Sequence, residues 1–247
     1  MKHTENQHVQ VPNNMTKEKL LTPDCMLVYA YIKKYMNKDT LEAFPSLTLI
    51  CKELGASEPT IRKCIKLLIE SEYISVRKEG RKNVYKFSEY KKFEPFSYEF
   101  LDNKDCTFNE KAMILARQQY MIKNPITKEG KCNYSDRQMA DMINMSHAAI
   151  SKCNKSLQEK GLMRVVQTNA IDPMTGCKIQ EKIYDLNKLH QGIIFTLVNH
   201  EDRISSAEDK IDKLVKEMES FKKDYDLVVR ENIELKKQLN KTEEIIL

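Results

Sequence analysis

Arg62, Lys63 and Lys66 project from one side of a helical segment, opposite the apolar stripe Ile61, Ile65 and Leu68, with Pro59 beside them and Thr60 at the margin. These side chains suit nucleic acid. A guanidinium can make two parallel hydrogen bonds to guanine, a threonine methyl can meet the thymine methyl, and a lysine can neutralise a phosphate. A second set, His147, Ala148, Ser151, Lys152 and Lys155, has the same layout, and Lys63/Lys152 and Lys66/Lys155 recur in both. Arg77, Lys78, Arg81, Lys82 and Lys86 face only Glu79, which makes residues 77–86 a +4 segment suited to phosphates or a minor groove.

Other chemistries find less support. No nucleophile with a paired base, no metal-ligand cluster and no phosphate-cradling glycine loop can be assembled, so we expect neither an enzyme nor a cofactor. The seven cysteines (25, 51, 64, 106, 132, 153 and 177) show no Cys-x-x-Cys spacing and follow no hydrophobic secretion segment, which predicts a reduced, cytoplasmic protein without a zinc site. Cys64 and Cys153 fall on apolar stripes as small core residues, and His147 has no second ligand at helical spacing. Apolar runs such as 26–32 are too short to span a membrane.

The elements that position these residues come from a duplication. Shifted by 89, residues 46–76 match 135–165 at nine positions, among them Ser46/Ser135, Ser57/Ser146, Ile61/Ile150, Cys64/Cys153 and Leu68/Leu157, where chance predicts about two. Each copy opens with a capped helix, at Thr22-Pro23 or Asn109-Glu110. A short second helix starts at Ser46 or Ser135 and ends at Gly55 or Asn144, residues that tolerate a left-handed turn. Ser57 or Ser146 then caps the third helix, and alternation follows: Tyr73–Val76 with Val84–Phe87 predicts one hairpin, and 162–166 with 178–186 a second with a longer tip. Three helices, a tight turn between the last two, then a hairpin is the order of a winged helix-turn-helix.

The stretch from Phe44 to Leu68, closing in Glu72-Tyr73-Ile74, resembles the winged helix-turn-helix domains of bacterial, plasmid and phage regulators and replication initiators. The resemblance covers 20–90 well and 107–189 more weakly, where Asn144 stands for the turn glycine and Asn154 for an apolar helix position. It implies a DNA-binding fold and leaves regulator and initiator both open.

From Leu197 the apolar pattern becomes heptad. The a positions include Ile204, Ile211, Met218, Tyr225, Asn232 and Leu239, and the d positions Leu214, Phe221, Val228 and Leu235; twelve of fifteen core positions are apolar, which predicts a coiled coil of roughly 75 Å. Asn232 at an a position and the attractive pairs Arg203–Glu208, Glu217–Lys222 and Glu231–Lys236 favour a parallel homodimer. Charge separates with it: residues 191–247 hold 10 Lys+Arg against 13 Asp+Glu, and residues 1–190 hold 31 against 23, so the chain's net +5 is −3 on the zipper and +8 on the duplicated part.

The expected fold is mainly α with small β-hairpin wings: a disordered arm (1–15), a first winged helix-turn-helix domain (16–90), a linker (91–106), a second such domain (107–190) and a long coiled-coil helix (197–247). Phe93, Phe96, Tyr98 and Phe100 in the linker read as packing between the domains rather than as base-stacking residues. The expected function is sequence-specific binding of double-stranded DNA by a dimeric transcription regulator whose partners are DNA and a second copy, with no membrane. A plasmid or phage replication initiator and a structural or assembly protein are the alternatives.

Overall fold

The computed structural model describes residues 7–80, 82–124, 126–171, 176, 178–190, 211, 213–225, 228–229 and 231, in two compact units, 1–197 and 198–247. In the first unit both copies lay down their helices and final hairpin in the same order, and the second adds one strand, β6, after its first helix. The first has α1 (Pro23–Lys33), β2 (Glu42–Ala43), α2 (Leu47–Leu54), α3 (Glu58–Glu70), β3 (Ile74–Glu79) and β4 (Lys82–Phe87). The second has α5 (Phe108–Arg117), β6 (Ile122–Asn124), β7 (Glu129–Cys132), α6 (Asp136–Ile143), α7 (His147–Glu159), β8 (Met163–Ile171) and β9 (Lys178–Asp185). The sheets match in register as well: Ala43 lies opposite Tyr85 where Cys132 lies opposite Lys182.

Local chemistry explains the helix boundaries. Ser46, Ser57, Ser135 and Ser146 each accept a hydrogen bond from the backbone N–H three residues on. Gly55 and Asn144 both take left-handed backbone at φ 64° and 52°, which stops the second helix and turns the chain into the third. The cap of α5 is Thr107, in a capping box with Glu110, rather than Asn109.

Two findings correct the expected architecture. Among the described residues nine strands form three sheets, one pairing β1 (His8–Pro12) with β5 (Phe93–Ser97) and two ordered β2-β4-β3 and β6-β7-β9-β8, so the fold is mixed α and β rather than mainly α with small wings. Nor is there a long coiled-coil helix among them: the second unit's longest described helical stretch is 213–225. The strands escaped notice because β2, β6 and β7 have only two to four residues, too few for alternation to register. Residues 8–12, expected as part of a disordered arm, form β1 (His8–Pro12) and pair antiparallel with β5 (Phe93–Ser97) from the expected linker, which continues as α4 (Tyr98–Asp102). Val9 and Val11 are buried, as are Phe96 and Phe100, whose rings lie 5.9 Å apart and are closed to bases.

The core runs between the copies. Helix α1 packs on both α3 and α5, and its residues from Cys25 to Ile32 are all buried; Glu110 to Arg117 of α5 are buried too. A helix apolar all round needs neighbours on every side, and the second copy supplies those that the first lacks. The Thr16 hydroxyl meets Gln119 of the second copy, and Asn144 Nδ2 donates to the carbonyls of Lys19 and Leu21.

Candidate nucleic-acid interface

Helix α3 presents the predicted cations to solvent. Pro59, Arg62, Lys63 and Lys66 are exposed, while Ile61, Cys64 and Leu68 are buried against the core. Arg62 Nε donates to Glu58 Oε1 at 2.7 Å, and Lys66 Nζ lies 3.6 Å from Glu70 Oε1. Exposed pairs one helical turn apart contribute only about 0.3–0.5 kcal/mol, so a phosphate or a base edge can displace either carboxylate. Thr60 shares a 2.8 Å hydrogen bond with the Ser57 hydroxyl, which fixes its rotamer beside the cap. Burial pushes the Asp24 carboxyl up and the Lys63 ammonium pulls it back, so Lys63 faces a partly compensating acid within the chain.

The first hairpin is more regular than expected. Strand pairing extends through Arg77↔Val84, Lys78↔Asn83 and Glu79↔Lys82, so Arg77, Lys78 and Lys82 stand on a two-stranded ribbon rather than a loose tip. Arg77, itself exposed, pairs with Glu42 of β2, with Nη1 and Nη2 donating at 2.7 and 3.3 Å, and Lys78 and Lys82 are exposed beside it. Arg77 therefore ties the hairpin to β2. Arg81 lies outside the described residues.

In the second copy His147, Ala148, Ser151, Lys152 and Lys155 are exposed along α7, and Cys153 is buried like Cys64. Arg137 of α6 and Lys178 of β9 border the same cleft as Ser151 and Lys155, and sequence reasoning missed both. Arg137 lies two residues past the Ser135 cap, in the first turn of α6, a position that could have flagged it. Asn154, read as a weakness in the repeat, is buried and bonded: its Oδ1 accepts from Arg117 Nη1 at 2.9 Å and its Nδ2 donates to Asp136 Oδ1 at 2.8 Å. Among the described residues no His, Cys, Asp and Glu cluster could hold a metal ion, and no helix is long and apolar enough to cross a membrane.

With α2, the left-handed turn and α3 in place, comparison with protein families decides what they are. A family model described as a helix-turn-helix domain matches residues 19–74. The chain carries a helix-turn-helix domain. The match spans α1, α2 and α3 and ends at the first residue of β3, and it supports DNA as the partner of this helix-turn-helix face. No curated protein matches the chain.

In the second unit the described candidates for self-association, Ile211, Leu214, Met218, Phe221, Tyr225 and Val228, are all exposed; Met218 is 70% and Phe221 74% accessible. Ile204, Asn232, Leu235 and Leu239 lie outside the described residues.

Proposed function

We propose that this chain is a sequence-specific double-stranded DNA-binding protein, acting as a dimeric transcription regulator without catalytic activity. The observation that carries the reading is the exposed face of α3, with Arg62, Lys63 and Lys66 directed away from a buried stripe inside the helix-turn-helix match. In this reading α3 enters a major groove, Lys78 and Lys82 of the wing contact the adjoining backbone, and α7 with Ser151, Lys152 and Lys155 serves as a second reading head in tandem. Self-association belongs to the second unit. Large side chains such as Phe221 and Met218 left in water favour burial against the same face of another copy.

Gel shift with double-stranded DNA over a salt series tests it. Binding should weaken steeply with salt, because each phosphate contact releases counterions, and salt-insensitive or absent binding would refute the proposal. Alanine at Arg62, Lys63 and Lys66 together should erase sequence preference, whereas an unchanged footprint would remove α3 from the reading role. Truncation after Leu197 should give monomers by light scattering, and a persisting dimer would move the interface into the first unit.

A further inference from the structure

The duplication permits an internal comparison. Each copy has a cleft between its third helix and its hairpin, about 340 Å³ in the first and about 890 Å³ in the second. They are lined from corresponding positions 89 residues apart, yet Leu47, Ile65 and Ile69 of the first become Asp136, Asn154 and Gln158 of the second. Strand register adds a fourth exchange, Tyr85 to Lys182. Apolar positions have thus been replaced together by a connected polar set. Lys182 is buried, with Nζ donating to the Tyr134 carbonyl at 2.9 Å and standing 3.1 Å from Asp136 Oδ1, the oxygen that also accepts from Asn154. Behind Asn154, Arg117 is fully buried; its Nη1 also donates to the Tyr184 hydroxyl, while Nε and Nη2 have no hydrogen-bond partner among the described residues.

The network holds two cations and one carboxylate, a positive surplus in a desolvated place. Buried charge without a counter-charge is unfavourable, and a polar network that replaces a workable apolar packing marks a site kept for another reason. At the mouth Arg137, Lys155 and Lys178 add positive charge against Asp141, and amide side chains supply both donors and acceptors. The cleft's volume lies within the roughly 300–1,000 Å³ of small-molecule sites.

We propose that the second cleft binds a small organic anion, its carboxylate or phosphate drawn to Lys155, Lys178 and Lys182 and its polar body held by the amides. Ser151 and Lys155 line the same cleft, so an occupant would compete with DNA for α7; this regulatory consequence rests on the proposed function, whereas the binding itself does not.

Isothermal titration of the full chain at low salt with AMP, citrate and inorganic phosphate is the test. At least one of the two organic anions should bind with a dissociation constant below about 1 mM and more tightly than inorganic phosphate. Lys178→Glu, on an exposed strand position, should weaken that binding about tenfold or more, and Lys66→Glu in the first cleft should leave it unchanged. No heat with either organic anion, equal affinity for all three, or equal loss in both variants would overturn the site. Fluorescence anisotropy of labelled DNA with and without the binding anion tests the competition. Absence of DNA binding would strike the proposed function and leave the titration result standing.

Discussion

Asn144 shows how one side chain can serve two scales. It replaces the glycine that ends the second helix in the first copy, and its left-handed backbone is tolerable for asparagine. Its amide also ties the second copy to the carbonyls of Lys19 and Leu21, at 2.9 and 3.1 Å. Asn144→Gly should therefore destabilise by about 1 kcal/mol despite the easier backbone, since each lost bond is worth about 0.5–1.5 kcal/mol. Urea denaturation checks this; a stabilised variant would mean that the amide bonds contribute nothing. Glu110 is the acidic counterpart. Burial alone would raise its carboxyl, but hydrogen bonds from Lys160, Ser156 and Thr107 outweigh that and hold it below the ordinary 4.5. A carboxyl lowered on folding adds stability that is fully present above its unfolded value and is lost as pH falls through the folded one. Glu110→Gln should thus cost about 1–3 kcal/mol at neutral pH, with the gap to the parent closing as pH drops below 4.5. A gap independent of pH would show that the Glu110 charge does not matter.

At the level of elements, the helices were legible because their signals are local. Serine caps and left-handed turn residues act within three or four positions, and the stripe of Ile61, Cys64 and Leu68 identifies the buried face of α3 without reference to any other part of the chain. The pair β1–β5 was not legible in the same way. His8-Val9-Gln10-Val11 does alternate, but four residues at the start of a chain carry no weight until a partner strand is known, and Phe93–Ser97 lies more than eighty residues away. Deleting residues 1–12 should lower stability by about 3–6 kcal/mol, an upper bound from re-exposing Val9 and Val11 at about 1.5–3 kcal/mol each. Thermal melting reads it, and an unshifted midpoint would mean that β1 is dispensable.

On the scale of the whole molecule, the two copies are one folding unit in a sense that their repeat did not announce. The Thr22-Pro23 cap marked only where α1 starts, yet every residue from Cys25 to Ile32 is buried, with α5 packed alongside. An isolated fragment of residues 16–90 should expose that surface and show non-cooperative melting or aggregation, whereas 1–190 should melt cooperatively. A sharply melting 16–90 fragment would show that the first copy is self-sufficient. The candidate DNA face follows the opposite rule. Arg62, Lys63, Lys66 and Lys155 were identifiable because exposure on a helix follows from periodicity, while the polar cleft around Asp136, Asn154, Lys182 and Arg117 draws on four separate elements or their flanks and has no spacing of its own.

Sequence alone determined the serine-capped starts of the second and third helices, the turn between them, and the outward cations, since each depends on hydrogen bonds or periodicity within a few residues. Tertiary structure decided the burial of α1 and α5 on every side, the pairing of the first strand with the connecting segment, and the polar floor of the second cleft. These are contacts between residues tens of positions apart, and their energy exists only once the chain has brought them together.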